Sequence, residues 1–154
     1  MKEELNIPVM HDDQHGTAII SAAALLNALE IQKKKIDRVK FVVNGAGAAA
    51  MACIQLYVEL GAKFENFIVF DRKGAIHKNR TDLDEIKQRF ANAKSEISLE
   101  QAMKDADVFI GLSAGNTVSP EMVKAMAKNP IVFAMANPDP EISWEDATSV
   151  RKDI

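Results

Sequence analysis

The sequence predicts an α/β fold in which a parallel sheet carries helices on both faces and is preceded by a long N-terminal helix. Three observations carry that expectation. Four short apolar runs, at 39–44, 66–71, 107–111 and 131–135, are each bounded by polar or turn residues. Helix-forming stretches separate them, and parallel strands need such crossovers because a tight hairpin cannot join them. An Ala- and Leu-rich stretch at 16–31 precedes the first run and is strongly helix-forming.

Taken in order, Ile7-Pro8-Val9 reads as extended chain, because proline biases the residue before it away from helical angles. The polar segment from His11 to His15 joins it to the long helix. Lys33-Lys34-Lys35 then reads as a solvated helix end, its cations near the last carbonyls, with no binding role. The first strand leads into a helix at 48–60 that Gly61 can close in the left-handed position. After the second strand come helix candidates at 81–91 and 99–105. Beyond the third strand, Ser119 can cap a helix in which Pro120 loses no needed donor and Glu121 faces the positive dipole end, running to about Lys128.

A chain of 154 residues that is 47% hydrophobic and 27% charged suits one domain with a substantial core. No repeat, low-complexity tract or flexible linker suggests a second complete domain. The net charge of -3 provides no basic excess to attract nucleic acid or an anionic membrane. The single cysteine, Cys53, cannot form an intramolecular disulfide, and no secretory leader pattern is present, so a reducing, cytoplasmic compartment is expected. The longest nearly apolar stretch, 18–29, is too short to cross a bilayer. Cys53 and the pair Met122 and Met126 read as packing residues. His77, with Lys78 and Arg80, reads as solvated, with a phosphate contact as the alternative.

The run Val42-Val43-Asn44-Gly45-Ala46-Gly47-Ala48-Ala49-Ala50 places GxGxxA between a strand and a helix, the context in which this motif marks a Rossmann-like dinucleotide site. Gly45 permits the tight turn, Gly47 clears the backbone's approach to a pyrophosphate, and Ala50 keeps the helix close to the sheet. The amides and dipole at the helix start favour the anion. Small residues could serve close packing alone. Asp71 ends the second strand, where a carboxylate can accept from ribose hydroxyls and favour NAD, whereas Arg72 and Lys73 can accommodate the 2′-phosphate of NADP. The structural alternative for Asp71-Arg72-Lys73-Gly74 is a polar turn. Ser113 and Ala114, after the third strand, lie where a cofactor commonly binds or form a simple loop.

His11-Asp12-Asp13-Gln14-His15-Gly16 admits three readings. His11 and His15 have the i, i+4 spacing of a zinc protease helix, but Asp12 stands where that site needs Glu, and Pro8 and Gly16 disfavour a helix centred here. Asp12, Asp13 or Thr17 could cap the following helix. Adjacent carboxylates at a helix entrance could also hold Mg²⁺ or Mn²⁺ together with substrate oxygens.

His11 to Ala18, then 43–50, then 71–74, then Phe133-Ala134-Met135-Ala136-Asn137-Pro138, resemble in order and spacing the cofactor domain of bacterial-type malic enzymes. The resemblance covers nearly the whole chain. It implies oxidative decarboxylation of malate to pyruvate and CO2 with NAD or NADP and a divalent cation, Mg²⁺ or Mn²⁺, and a homodimer. It implies Asp13 as a metal ligand, Asp12 as the carboxylate supporting a catalytic lysine, and Asn137 beside substrate and nicotinamide. By the same resemblance, residues 1–32 are a linking and metal-site segment with a helix from the catalytic region. Residues 33–154 are the NAD(P)-binding domain, truncated at its C-terminus.

The family's catalytic tyrosine and lysine and a Glu-Asp pair of metal ligands would precede Met1, so the chain is expected to be a fragment. Tyr57, the sole tyrosine, lies on the helix after the glycine loop and reads as packing, not as an acid catalyst. Two alternatives follow: a non-catalytic dinucleotide-binding module, or another Rossmann dehydrogenase such as an amino-acid dehydrogenase relative.

Overall fold

The computed structural model describes residues 6–93 and 95–154, apart from the side chain of Asp13. At the centre of its sheet lies β1 (Phe41–Asn44), flanked by β2 (Phe67–Asp71) and β4 (Val108–Gly111). Beyond β4 stands β5 (Ile131–Ala134), and beyond β2 the two-residue β3 (Gly74–Ala75). The pairs of β1 with β2, β1 with β4 and β4 with β5 are parallel. β3 runs antiparallel to β2, with Ala75 opposite Phe70, so the sheet is mixed and not wholly parallel as expected. Gly74, at φ 115°, takes the left-handed conformation that lets the chain reverse directly after Asp71.

The central strands β1, β2 and β4 are buried on both faces, as parallel strands between helix layers must be. Phe41, Val43, Phe67, Val69, Val108 and Ile110 form one core with α1 (Thr17–Ile31) and α2 (Ala48–Glu59). The rings of Phe41 and Phe67 stack there with centroids 4.3 Å apart. The alternate residues Val42, Phe70 and Phe109 form a second core with α4 (Leu99–Met103), α5 (Pro120–Lys124) and α6 (Trp144–Val150). A one-residue register slip would turn both sets to the wrong layer. The small buried face of α1, Ala18, Ser21 and Ala22, continues into Leu25 and Leu29. Its other face leaves Ile19, Ile20, Leu26 and Ile31 exposed.

The entrance to α1 differs from expectation. Residues Asp12–Gly16 form one π-helical turn, closed by the Thr17 N–H donating to the Asp12 carbonyl. Neither Asp12 nor Thr17 caps the helix: Gly16 occupies the capping position with helical angles, and no side chain bonds there. Glycine here leaves room for the Asp12 carboxylate, which a methyl group at residue 16 would overlap. At the far end, Lys34 is not solvated, since its Nζ lies 2.6 Å from Asp107 Oδ1.

Gly61 closes α2 at φ 110°, as its position predicts. The helix expected over 81–91 is shorter, α3 (Glu85–Arg89), and starts where Asp84 accepts from the Lys87 amide. Arg80 and Asp82 are drawn into an ion cluster described below, which holds the preceding chain out of helix. α4 carries a complete capping box of Ser98 and Gln101 but stops at Met103, before the left-handed Asp105. α5 has the expected Ser119 cap but also stops early, because the Ala127 N–H pairs with the Ala106 carbonyl instead of continuing the helix. α6, capped by Ser143, was not among the expected helices.

Candidate functional site

The chain order reverses direction across the sheet between β1 and β4, and the carboxyl ends of those strands open into a groove of about 940 Å³. In open α/β sheets this switch point is where ligands bind, because the loops leaving it diverge to opposite faces. The groove is lined by Gly45, Ala46 and Gly47 from the loop after β1, by Asp71, Arg72 and Lys73 after β2, and by Ser113 and Ala114 after β4. All eight are residues singled out from the sequence. Ala48 and Ala49 continue into α2 beside it, and Ala50 is buried against the core.

The two glycines of the loop have different tasks. Gly45 sits at φ 126°, and a methyl group there would meet the Leu112 carbonyl oxygen at 2.5 Å. Its N–H donates to the Phe70 carbonyl at 3.0 Å, which carries the turn over the end of β2. A methyl group at Gly47 would meet nothing within 4 Å, since this residue faces open space. Gly47 is also the N-cap of α2, with no side chain bonded to it. The first-turn amides therefore face the groove without a capping side chain, as an anion-binding helix start requires. The residues present thus fit a bound phosphate group.

At the β2 end, Asp71 is held in a clamp that the sequence did not reveal. Arg80 donates to both its oxygens, at 2.8 and 3.0 Å, and the Lys73 amide adds a third bond at 2.9 Å. Arg80 also binds Asp82 through Nε and Nη2, each at 3.0 Å, and Lys73 Nζ lies 2.7 Å from Asp82. Lys87 Nζ stands 3.5 Å from Asp71. Burial raises the Asp71 pKa, but Arg80 and the Lys73 amide outweigh it, and the carboxyl ends below its ordinary value. Arg80 and Lys73 likewise hold Asp82 well below the usual carboxylate range. Three cations against two carboxylates leave a positive excess at this end of the groove, beside the exposed Arg72. Only the hairpin through β3 returns Arg80 to Asp71, nine positions earlier, so no local pattern marked it.

On the opposite wall, Asn44 Nδ2 donates to Thr117 Oγ1 at 3.0 Å, and that hydroxyl donates to the Ala114 carbonyl at 3.1 Å. Behind the loop lies Glu141, with no exposed surface, accepting from the Ser113 amide at 3.1 Å and the Ala136 amide at 3.0 Å. The sequence reading missed Glu141. Its signal was a carboxylate directly after the Asn137-Pro138-Asp139-Pro140 turn, which only the fold shows to point inward.

Asn137 is exposed after β5 and does not line the groove. Asp12 is also exposed and lies against Gly16. The acidic segment reaches the glycine loop through other residues: Gln14 and His15 share a second cleft of about 720 Å³ with Ala46, Gly47 and Ala48. The Asp13 side chain falls outside the described residues. Among the described residues, no three His, Cys, Asp or Glu side chains gather as a metal site.

Cys53 and Tyr57 are fully buried on α2, as their packing reading requires. The Cys53 thiol lies 3.4 Å from Ser21 Oγ of α1, and burial pushes the Tyr57 hydroxyl well above its ordinary value. Met126 is buried and Met122 packs against the same core. His77 is less solvated than expected, for its Nδ1 is buried without a hydrogen-bond partner among the described residues. No helix among the described residues is long and apolar enough to cross a membrane.

A family model described as the malic enzyme NAD binding domain matches residues 14–152. The NADP-dependent malic enzyme of Halomonas elongata is 49% identical over 152 residues, which cover 99% of this chain and 36% of that protein. The NAD-dependent malic enzyme of Rhizobium meliloti is 49% identical over 154 residues, covering 99% of this chain and 20% of that protein. A solved malic enzyme structure from Entamoeba histolytica matches with a TM-score of 0.90 at 38% identity, covering 97% of this chain and 33% of that one. The chain therefore spans between about a fifth and about a third of these relatives' lengths.

Proposed function

We propose that this chain, which belongs to the malic enzyme family as its NAD-binding domain, holds NAD or NADP for oxidative decarboxylation of malate to pyruvate and CO2 by a full-length enzyme of that family. The observation that carries the reading is the open backbone cradle at Gly47, where the switch-point groove meets the uncapped start of α2. In this reading Gly47 and the amides of Ala48 and Ala49 bind the pyrophosphate, while Gly45 and Ala50 hold turn and helix in place. Arg72, Lys73 and the Asp71 clamp receive the adenosine end. Asp71 accepts a ribose hydroxyl there only in competition with Arg80. The positive excess of the cluster suits a 2′-phosphate, so both cofactors are accepted with modest discrimination.

Bound NAD(P) supplies the hydride acceptor, and a divalent cation, Mg²⁺ or Mn²⁺, supplies the Lewis acid. Asp13 is proposed as one oxygen ligand of that cation, Asp12 as the carboxylate beside a catalytic lysine, and Asn137 as the amide beside substrate and nicotinamide. Residues 1–32 are proposed to belong with the catalytic region and 33–154 to the cofactor domain. We also propose a cytoplasmic homodimer, with gel filtration and light scattering of the full-length enzyme as the check on its assembly.

Malate-dependent formation of NAD(P)H by the full-length enzyme with Mn²⁺ is the test. Turnover with at least one cofactor is expected, and none with either removes the proposal. A second reading applies to the 154 residues alone: the sole tyrosine is fully buried, so they offer no exposed tyrosine acid and act as a non-catalytic dinucleotide-binding module. Malate oxidation by this chain alone would defeat that reading. Family membership sets aside an amino-acid dehydrogenase relative.

A further inference from the structure

Glu141 is a buried carboxylate that the cofactor-binding reading does not use. It has no exposed surface, and its side chain accepts two hydrogen bonds, both from backbone amides: Ser113 N–H to Oε1 and Ala136 N–H to Oε2. These amides belong to different loops. Ser113 leaves β4 along the groove wall, and Ala136 immediately precedes Asn137 beyond β5. The backbone around Glu141 holds the first loop a second time, for the Asn116 and Val118 amides donate to the carbonyls of Pro140 and Glu141 at 2.9 and 3.0 Å. Gly111 makes room for the carboxylate, since a methyl group there would overlap it.

We propose that Glu141 is a positioning residue whose carboxylate sets the spacing of the 112–117 and 135–137 loops, and thereby the seat for the nicotinamide half of the dinucleotide. The inference rests on the dinucleotide reading above. With the adenosine end at Asp71 and the pyrophosphate at Gly47, a cofactor crossing the strand ends extends its other half toward β4 and β5. Those are the strands whose loops Glu141 ties together.

The chemistry of the tie is specific to a side chain that presents an acceptor oxygen to each of the two amides. A carboxamide offers one acceptor and one NH2 donor. In either orientation, Glu141→Gln therefore sets an NH2 group against a backbone N–H and releases one loop. Glu141 itself bonds nothing in the 44–48 or 71–73 segments, and where the 112–117 loop meets Asn44 it is held by bonds of its own, from the Leu112 amide to the Asn44 carbonyl and from Asn44 Nδ2 to Thr117 Oγ1.

Calorimetric titration of the chain with ADP-ribose and with NAD⁺ separates these ends. Wild type is expected to bind both. The Glu141→Gln variant is expected to bind ADP-ribose within about twofold of wild type and NAD⁺ about tenfold more weakly. Equal weakening of both ligands, or undiminished NAD⁺ binding, overturns the proposal. A wild type that gains nothing from the nicotinamide half overturns it while sparing the dinucleotide reading, whereas a wild type that binds neither ligand removes both. If the variant does not fold, hydrogen exchange of the wild type decides. Slow exchange at Ser113 and Ala136, slowed further by NAD⁺ and not by ADP-ribose, supports the proposal. Fast exchange at either amide, or the same response to both ligands, overturns it.

Discussion

Replacing Gly45 and Gly47 separately with alanine should dissociate folding from binding within one three-residue turn. At Gly45 the new methyl group meets a fixed backbone oxygen at 2.5 Å, in a left-handed conformation at φ 126°. The backbone conformation alone costs of order 1–3 kcal/mol, and relieving the contact requires movement of the β4 end, so a loss of about 3 kcal/mol is expected. At Gly47, φ is -85° and ψ is 180°, allowed for alanine, with nothing within 4 Å of the methyl position. Two small effects oppose each other there. Alanine lowers the entropy of the unfolded chain by about 0.4–1 kcal/mol, but as an N-cap it is poorer than glycine by a comparable amount. Net stability should stay within about 0.5 kcal/mol of wild type.

In the proposed binding mode, a methyl group at residue 47 would occupy the open space through which a phosphate reaches the first-turn amides. Loss of one charge-assisted hydrogen bond is worth about 1.5–3 kcal/mol, so Gly47→Ala should weaken dinucleotide binding by at least about tenfold. Urea denaturation measures the first quantity and titration with NAD⁺ or NADP⁺ the second. A Gly47→Ala protein that loses as much stability as Gly45→Ala, or that binds dinucleotide normally, would refute the division of tasks.

Three further outcomes are expected. Arg80→Met leaves Asp71 without its bidentate partner, so affinity for NADP⁺ should fall relative to NAD⁺ by roughly tenfold, and an unchanged ratio in paired titrations would count against the clamp. Because the folded-state pKa of Asp71 is lowered, its stabilisation is present above the unfolded value of about 3.9 and is lost as pH falls through the folded value. Denaturation midpoints of Asp71→Asn should therefore vary less than those of wild type below about pH 4. Tyr57→Phe removes a buried hydroxyl that lacks a partner among the described residues and should raise stability by about 1 kcal/mol; a loss of that size would show that the hydroxyl is bonded in solution.

Much of the groove was legible because its signals are local. The turn at Gly45, the helix start at Gly47, the acid ending β2 and the loop after β4 each depend on residues a few positions apart, and the structure brings all of them to one groove. The helices that ran shorter than their patterns were limited by distant partners. Asp71 draws Arg80 and its neighbours away from α3, and Ala106 takes the amide that would have extended α5.

Arg80, read as solvated, and Glu141, not singled out at all, act across 9 and 28 positions of sequence, on Asp71 and on Ser113 respectively. A polar side chain carries no period from which its direction can be read. An Arg after a hairpin or a Glu after a proline turn looks solvated until the chain folds back over it.

By itself, the sequence determined the strand–loop–helix arrangement of the glycine loop proposed to cradle phosphate, and the two-layered burial of the sheet. Steric rules at glycine and the alternation of apolar residues are properties of neighbouring positions. Only the tertiary structure decided how Asp71 is neutralised and what ties the two far loops together. Those depend on charges and amides that are distant in sequence and meet only after the sheet has closed on its helices.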